Sequence, residues 1–234
     1  MGAVPALLAA VLAAAAPTGD DVRAVSPALR YLALGDSYTI GEGVTSEGRW
    51  PAQLAARLRE DGRAVDAPRI VATTGWTTDE LSSALDAAEP LGRDWDLVSL
   101  LIGVNDQYRG RPVEAYAPAF AALLDRAIGY AGGRADRVVV LAIPDWGVTP
   151  FAAASGRDRA AIARALDAYN AAAARVCAER SVAFVDIAPV SRARGAAPSM
   201  LADDGLHPSA ALYAEWTREA LPVVRRLLTD APAP

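Results

Sequence analysis

The chain has 234 residues, of which 53 % are hydrophobic and 22 % are charged. This length and composition predict one globular α/β domain with a sizeable core and exclude a disordered chain. The net charge is −5 (23 − 28), every basic residue is arginine and no basic block occurs, which argues against nucleic acid or an anionic membrane as a partner.

The first predicted segment is an apolar leader, residues 1–27. Its alanine-rich run has the length of the apolar part of a signal peptide, and small residues near position 15 would suit a cleavage site. However, no basic residue precedes Arg23, Pro17 follows the alanines, and the run is shorter than a transmembrane helix requires. Two interpretations stay open: an export signal of a secreted or periplasmic protein, or a disordered leader of a cytoplasmic one. On either interpretation, residues 28–230 form the domain.

Five apolar runs of strand length follow the leader. They are nearly continuous in valine, isoleucine, leucine and alanine, with no strict polar alternation, which is typical of strands buried on both faces. The runs cover residues 31–34, 69–72, 97–104, 138–143 and 182–187.

Helical patterns separate these runs. Pro51 in a first turn and Gly62 as a stop predict a helix over residues 50–61. The sequence TTDE at residues 77–80 is a capping box, which predicts the start of the next helix.

Three further helices complete the pattern. A helix over residues 112–131 contains Pro118, which we expect to kink or split it. Another is predicted to begin at Ser155, and a last one covers residues 209–228 with Trp216 and Val223 inside. Strands that alternate with helices predict a five-stranded parallel sheet with helices on both faces, in one domain.

Polar residues follow each predicted strand. In an open parallel sheet, ligands bind at the carboxyl ends of the strands, so these segments are candidates for one site. They are Gly35-Asp36-Ser37, Thr73-Thr74-Gly75, Gly103-Val104-Asn105-Asp106, Pro144-Asp145-Trp146-Gly147 and, beyond the fifth strand, Asp203-Asp204-Gly205-Leu206-His207-Pro208.

The counts of histidine and cysteine restrict the chemistry. His207 and Cys177 are each the only residue of their type. A zinc site with several histidines, a cysteine metal cluster and an intrachain disulfide are therefore excluded. Any mechanism that needs an imidazole must use His207, whereas Cys177 is expected to be a small core residue.

These residues suit acyl transfer without a metal or a cofactor. A serine hydroxyl such as that of Ser37 needs a base, and His207 in turn needs a partner such as Asp204, three residues earlier, to orient it. Donors to the oxyanion of a tetrahedral intermediate contribute roughly 3–4 kcal/mol each. The backbone N–H groups of Ser37 and Gly75 and the side-chain amide of Asn105 would supply three.

Each of these residues also has a structural interpretation. Ser37 could cap a helix, Gly75 could serve only a tight turn with positive φ, and Asn105 could be a turn former. The combination of all the loops on one rim favours the catalytic interpretation. Asp36 and Asp106 are interpreted as structural, holding loops by hydrogen bonds.

Aromatic residues are candidates for the substrate pocket. Tyr38 follows the serine, and Tyr108, Trp146 and Phe151 come after the third and fourth strands, which indicates an apolar acyl or aryl pocket. For Trp146 a strand-end turn is an equally open interpretation. The arginines after Tyr108, at positions 109 and 111, could contact an anionic head group, although a solvated loop is the favoured interpretation.

The motifs resemble the four blocks of the SGNH (GDSL-type) esterase and lipase family. The blocks are Gly35-Asp36-Ser37, Gly75, Gly103-Val104-Asn105-Asp106 and Asp204-Gly205-Leu206-His207, in the family's order. The resemblance implies a flavodoxin-like three-layer α/β/α fold, a Ser37, Asp204 and His207 triad, and an oxyanion hole from Ser37, Gly75 and Asn105. The chain departs from the pattern at Tyr38, often leucine, and at Thr73, where an asparagine is often seen; both concern pocket shape and loop packing.

The sequence therefore predicts a serine esterase that hydrolyses lipid-like or short-chain acyl esters, or thioesters, through an acyl-enzyme on Ser37. A carbohydrate acetylesterase and a non-catalytic binding module on the same fold remain alternatives. A nucleotide binder is disfavoured because the chain lacks a G-x-x-x-x-G-K-[ST] loop. The expected partner is a small-molecule ester, with no nucleic acid and no membrane insertion of the domain, and the oligomeric state is left open.

Overall fold

The computed structural model describes residues 1–2 and 27–229, so the predicted leader lies almost entirely outside the described residues. Within them, five strands form one parallel sheet in the order β2-β1-β3-β4-β5. The strands are β1 (Tyr31–Gly35), β2 (Arg69–Ala72), β3 (Leu97–Leu101), β4 (Val138–Leu141) and β5 (Ala183–Val185). This confirms the predicted five-stranded parallel sheet.

The two central strands are the most deeply buried part of the sheet. Every residue of β1 and of β3 is buried, whereas the edge strand β2 begins with an exposed residue. The chain leaves β1 toward β2 on one side and later returns to β3 on the other. The strand order therefore reverses between β1 and β3, and a crevice forms beyond their carboxyl ends.

Nine α-helices lie within residues 27–229. They are α1 (Ser37–Ile40), α2 (Trp50–Glu60), α3 (Thr78–Ala88), α4 (Val104–Tyr108), α5 (Val113–Tyr130), α6 (Pro150–Ala154), α7 (Arg159–Glu179), α8 (Ala188–Arg194) and α9 (Ala210–Thr229). None of them is long and apolar enough to cross a membrane.

The larger helices form two layers around the sheet. Right-handed crossovers put α2 on one face and α3, α5 and α7 on the other, because the chain moves in opposite directions along the sheet. The last helix, α9, packs against α2, and α5 packs against both α3 and α7. The result is the expected three-layer α/β/α sandwich.

The start of α7 differs from the sequence-based prediction. Ser155 ends the short helix α6, where its hydroxyl donates to the Ala152 carbonyl at 2.7 Å. The long helix begins only at Arg159, because the Asp158 side chain accepts the first free N–H groups of that helix. The prediction that a helix begins at Ser155 was therefore wrong.

Two predictions about single residues in helices also need correction. Pro118 does not split its helix: α5 runs continuously through it. Pro118 is the sixth residue of the helix, so it removes only one bond, to a carbonyl in the first turn. In α9 the predicted inward residue Val223 is only half-buried, and its neighbour Val224 is fully buried beside Trp216 on the inner face. Cys177 is buried in α7, as predicted.

Candidate active site

Ser37 lies where β1 gives way to the short helix α1. A Cβ added at Gly35 would lie 2.4 Å from the Leu101 carbonyl oxygen, so only glycine allows this close approach of β1 and β3. Asp36 caps α1, and its Oδ1 accepts the Tyr38 N–H at 3.0 Å. Ser37 is the first residue of the helix, where an N–H group has no partner within the helix. Its N–H is thus available to a ligand.

The histidine lies in a compact turn, residues 201–208, which we call the histidine loop. Asp204 Oδ2 contacts His207 Nδ1 at 2.5 Å, while its Oδ1 accepts the backbone N–H groups of Leu206 and His207, both at 2.9 Å. One carboxylate therefore fixes both the backbone and the ring of the histidine. Because Nδ1 is engaged, Nε2 is the nitrogen left for a substrate or a hydroxyl.

Further local bonds close the histidine loop. The Ala202 N–H donates to the His207 carbonyl at 2.8 Å, and Leu201 forms an antiparallel bridge with Pro208. Partial burial acts to raise the pKa of Asp204, but the hydrogen bonds from the ring and the backbone of the histidine outweigh it and leave this pKa lowered. The carboxyl group is therefore held in its charged form, which favours a positive charge on the imidazole.

Gly75 lies in a tight turn between β2 and α3. The Trp76 N–H donates to the Thr73 carbonyl at 3.3 Å, and Gly75 has a φ of 90°, as the third residue of a type II turn requires. Among the described residues, the Gly75 N–H has no hydrogen-bond partner. The side chain of Thr74 donates to Glu42, which connects this turn to the loop after α1.

Asn105 is the second residue of α4 and faces the same turn. Its Nδ2 donates to the Trp76 carbonyl at 2.9 Å, which uses one of its two amide hydrogens. The second hydrogen remains for a ligand. The second and third predicted donors thus lie on a turn and on a short helix that are bonded directly to each other. They are Gly75 and Asn105.

Asp106 holds the same two loops together from behind. Its carboxylate accepts the Thr78 N–H at 2.9 Å and the Thr78 hydroxyl at 2.8 Å, and it pairs with Arg111 at 2.9 Å. The side chain is fully buried, and this burial raises the pKa of Asp106 despite those bonds. The structural interpretation of Asp106 agrees with these contacts. Arg111 is engaged here and does not face the cleft.

Asp36 is the second buried carboxyl group near Ser37. It is 0 % exposed, and among the described residues its Oδ2 has no hydrogen-bond partner. Burial is the largest cause of a rise in the pKa of Asp36 to about 8; the Tyr38 N–H opposes this rise, and the nearby charge of Asp106 adds to it. Burial therefore favours the neutral form of the Asp36 carboxyl group.

The loops enclose a cleft of about 230 Å³. It is lined by Ser37, Tyr38, Thr74, Gly75, Val104, Asn105, Tyr108, Trp146, Phe151, Leu206 and His207. All the predicted site residues line it except Asp204, which contacts His207 at Nδ1. Thr74, Val104 and Leu206 lie in the strand-end segments, but the sequence assigned no role to them individually. Each is the chain neighbour of a motif residue, and that adjacency was the available signal.

Three aromatic rings form one wall of the cleft. The Trp146 ring lies 5.4 Å from that of Tyr108 and 6.3 Å from that of Phe151. Gln107 accepts the Trp146 Nε1–H at 2.9 Å, and Arg157 stacks on Tyr108 with its Cζ 4.0 Å from the ring centre. Neither Gln107 nor Arg157 carried a sequence signal, because their partners are distant in the chain.

The segment after β4 contributes both to the cleft and to a strand-end turn. Trp146 lines the cleft, while its neighbour Asp145 forms the strand-end turn by accepting the Gly147 N–H at 2.9 Å. The Tyr38 ring, which also lines the cleft, lies 5.7 Å from that of His207 and 5.8 Å from that of Trp216. The residue after the serine thus packs between the histidine and the core.

Comparison with solved structures finds the same fold in several proteins. TesA is 24 % identical, with a TM-score of 0.63 over 85 % of this chain and 99 % of that chain. Esterase EstA from Pseudoalteromonas sp. is 17 % identical, with a TM-score of 0.65 over 86 % and 99 %. Axe2, an acetylxylan esterase from Geobacillus stearothermophilus, is 20 % identical, with a TM-score of 0.63 over 84 % and 94 %.

Comparison with protein families gives a match that covers most of the chain. A comparison with curated proteins found no match. Residues 33–215 match the GDSL-like Lipase/Acylhydrolase family, a span that includes every predicted motif. The chain therefore belongs to the GDSL-like lipase/acylhydrolase family and is an SGNH-type ester hydrolase.

Proposed function

We propose that the enzyme is a serine esterase in which Ser37 is the nucleophile, His207 the general base and Asp204 the residue that orients it. The observation that supports this proposal is the cleft itself. Ser37 and His207 line it together, and the Asp204 contact at Nδ1 directs the other ring nitrogen away from the carboxylate.

The proposed reaction has two steps. The Ser37 oxygen attacks the ester carbonyl while its proton passes to Nε2 of His207, and the alcohol leaves with that proton. Water then attacks the acyl-enzyme and gives a proton to the same nitrogen. That proton passes to the Ser37 oxygen as the bond to the acyl group breaks, which releases the carboxylic acid and restores the serine. Each tetrahedral intermediate carries an oxyanion, for which we propose the N–H groups of Ser37 and Gly75 and the amide of Asn105 as donors.

The shape and lining of the cleft favour a short acyl or aryl group. The wall formed by Tyr108, Trp146 and Phe151 is apolar, which suits hydrocarbon. The volume of about 230 Å³ is below the range of about 300–1,000 Å³ of pockets for drug-sized ligands. We therefore rank short-chain acyl esters and thioesters above long lipid-like ones.

A carbohydrate acetylesterase is the second candidate, and one observation favours it. Tyr108 is 39 % exposed at the mouth of the cleft, where an aromatic ring could support a sugar. However, the Arg157 guanidinium covers a face of that ring, so the ring is only partly free for stacking.

A series of esters tests the proposal. The wild-type enzyme and Ser37→Ala are assayed with p-nitrophenyl acetate, butyrate and octanoate, a butyryl thioester and an acetylated xylose. We expect wild-type turnover to be highest with the shorter p-nitrophenyl esters, and Ser37→Ala to lose turnover by roughly 10³- to 10⁶-fold while staying folded. Retained turnover in Ser37→Ala would contradict the role of Ser37, and a preference for the acetylated sugar would establish the second candidate.

A further inference from the structure

Arg109, the residue directly after α4, reaches across to the turn that carries Gly75. Its Nη2 donates to the Gly75 carbonyl at 2.7 Å, and its Nη1 contacts Glu80 Oε1 at 3.2 Å. Glu80 is part of the capping box at the start of α3. The guanidinium group therefore binds both the turn and the helix that follows it.

Arg109 acts in parallel with Asn105. The two residues are four positions apart, so their side chains leave α4 on the same face. Asn105 binds the Trp76 carbonyl, and Arg109 binds the carbonyl of the preceding residue, Gly75. Two consecutive carbonyls of the turn are thus anchored to one short helix.

The turn has few other restraints. A Cβ added at Gly75 would find no atom within 4 Å, so no packing holds the turn on that side. The bond from the Trp76 N–H to the Thr73 carbonyl is long, at 3.3 Å. Thr73 and Thr74 are both exposed. Thr74 donates to Glu42, and Trp76 packs against the core at the end of the turn. Next to Gly75 itself, the polar anchors from Arg109 and Asn105 restrain the backbone.

We propose that Arg109 is a positioning residue that sets the separation between the Gly75 N–H and the Asn105 side-chain amide. This inference rests on the proposed function of those two groups as oxyanion donors. Asp106 also ties α4 to Thr78, at the start of the helix beyond the turn. Without Arg109, the Asn105 amide would be the remaining side-chain donor from α4 to a carbonyl of the turn itself within the described residues, and the same amide must also serve the oxyanion. Any shift of the turn would then misplace two donors together.

The effect of removing Arg109 should appear in catalysis more than in stability. The side chains of Arg109 and Glu80 are 52 % and 44 % exposed, and exposed ion pairs of this kind contribute little to the stability of the fold. Oxyanion donors act on the charge that develops in the transition state. Their misplacement therefore lowers kcat and leaves KM nearly unchanged.

The test compares Arg109→Met and Arg109→Lys with the control Arg126→Met. Arg126 also ties α3 to a neighbouring helix, since it donates to the Ser82 carbonyl at 3.1 Å and pairs with Asp86 at 2.6 Å, but it does not line the cleft. For p-nitrophenyl butyrate, we expect Arg109→Met to lower kcat roughly tenfold with KM changed less than about twofold. The lysine variant should recover part of the loss, because one donor can still reach the Gly75 carbonyl.

Three results would overturn the inference. They are an unchanged kcat in Arg109→Met, an equal fall in Arg126→Met, and a rise in KM at constant kcat, which would mean that Arg109 contacts the substrate. If Arg109→Met does not fold, Arg109→Lys carries the test, and wild-type kinetics in that variant overturn the inference. Absence of Ser37-dependent turnover in the wild type would instead refute the proposed function itself.

Discussion

The two sides of the cleft are built in different ways. On one side, most bonds of the histidine loop join residues a few positions apart, such as those that Asp204 accepts from His207, and one bond from the Phe151 N–H to the Gly205 carbonyl, at 3.1 Å, comes from a distant part of the chain. On the other side, the proposed oxyanion donors depend on side chains that reach across 28 to 34 positions of the chain, from α4 to the turn and helix after β2. The bonds of the histidine loop are mostly local in the chain, whereas those on the donor side depend on the tertiary fold.

The first side controls the orientation of the His207 ring, and the second controls the spacing of the proposed oxyanion donors. The bonds between Asp204 and His207 orient the imidazole from within the histidine loop. The distance between the Gly75 N–H and the Asn105 amide depends on the position of the turn after β2 relative to α4. Substitutions in the histidine loop should therefore affect mainly activity. On the other side, loss of the part-buried Asn105 bond should affect activity and stability together, whereas loss of the exposed Arg109 pair should affect mainly activity.

After the loss of Ser37 itself, the largest expected effect is that of Asp204→Asn. An amide can still accept the two backbone N–H bonds, but it cannot stabilise a charged imidazole and can favour the wrong tautomer. We expect kcat for p-nitrophenyl butyrate to fall roughly 10²- to 10⁴-fold with the melting temperature little changed. A fall of less than about tenfold, or a large loss of stability, would break the proposed contrast between the two sides.

The next effect is that of Asn105→Ala, on the other side. The variant loses a proposed oxyanion donor and also leaves the Trp76 carbonyl without its partner. We expect kcat to fall about 10²- to 10³-fold and the unfolding free energy to fall by about 1 kcal/mol. Steady-state kinetics and urea denaturation check the two parts. Unchanged stability would show that the turn after β2 does not depend on α4.

The last prediction concerns the effect of pH on stability and involves Asp36, the buried residue before Ser37. Its folded-state pKa of about 8 exceeds the unfolded value of about 3.9. Stabilisation by the neutral carboxyl is therefore complete below the unfolded pKa and is lost as the pH rises through the folded pKa. An asparagine side chain does not titrate, so Asp36→Asn lacks this contribution to the pH dependence of stability.

Melting temperatures of the wild type and Asp36→Asn at several values between about pH 5 and about pH 8 check this prediction. We expect the wild type to lose stability relative to the variant as the pH rises, by on the order of ten degrees in total. The other titrating groups are common to both proteins and cancel in the difference. A pH-independent difference would mean that Asp36 is already charged in the folded protein.

The contrast between the two sides also explains what could be predicted from the sequence. The order of strands and helices and the Asp204 to His207 spacing are local patterns, and both appear in the structure as expected. The contacts of Arg109 with Gly75 and of Asp106 with Thr78 join residues about thirty positions apart, so no local pattern encodes them. The error at Ser155 arose in the same way, because local propensity could not tell the end of one helix from the start of the next.

The most direct test of the central claim is the position of a covalent adduct. The enzyme is treated with a p-nitrophenyl alkylphosphonate, which mimics the tetrahedral intermediate, and is then digested with trypsin and sequenced by mass spectrometry. The account predicts one phosphonyl group per chain, on Ser37 in the peptide of residues 31–49, and none in Ser37→Ala. An adduct on Ser46 of the same peptide or on any other residue, or turnover of esters without labelling, would contradict it.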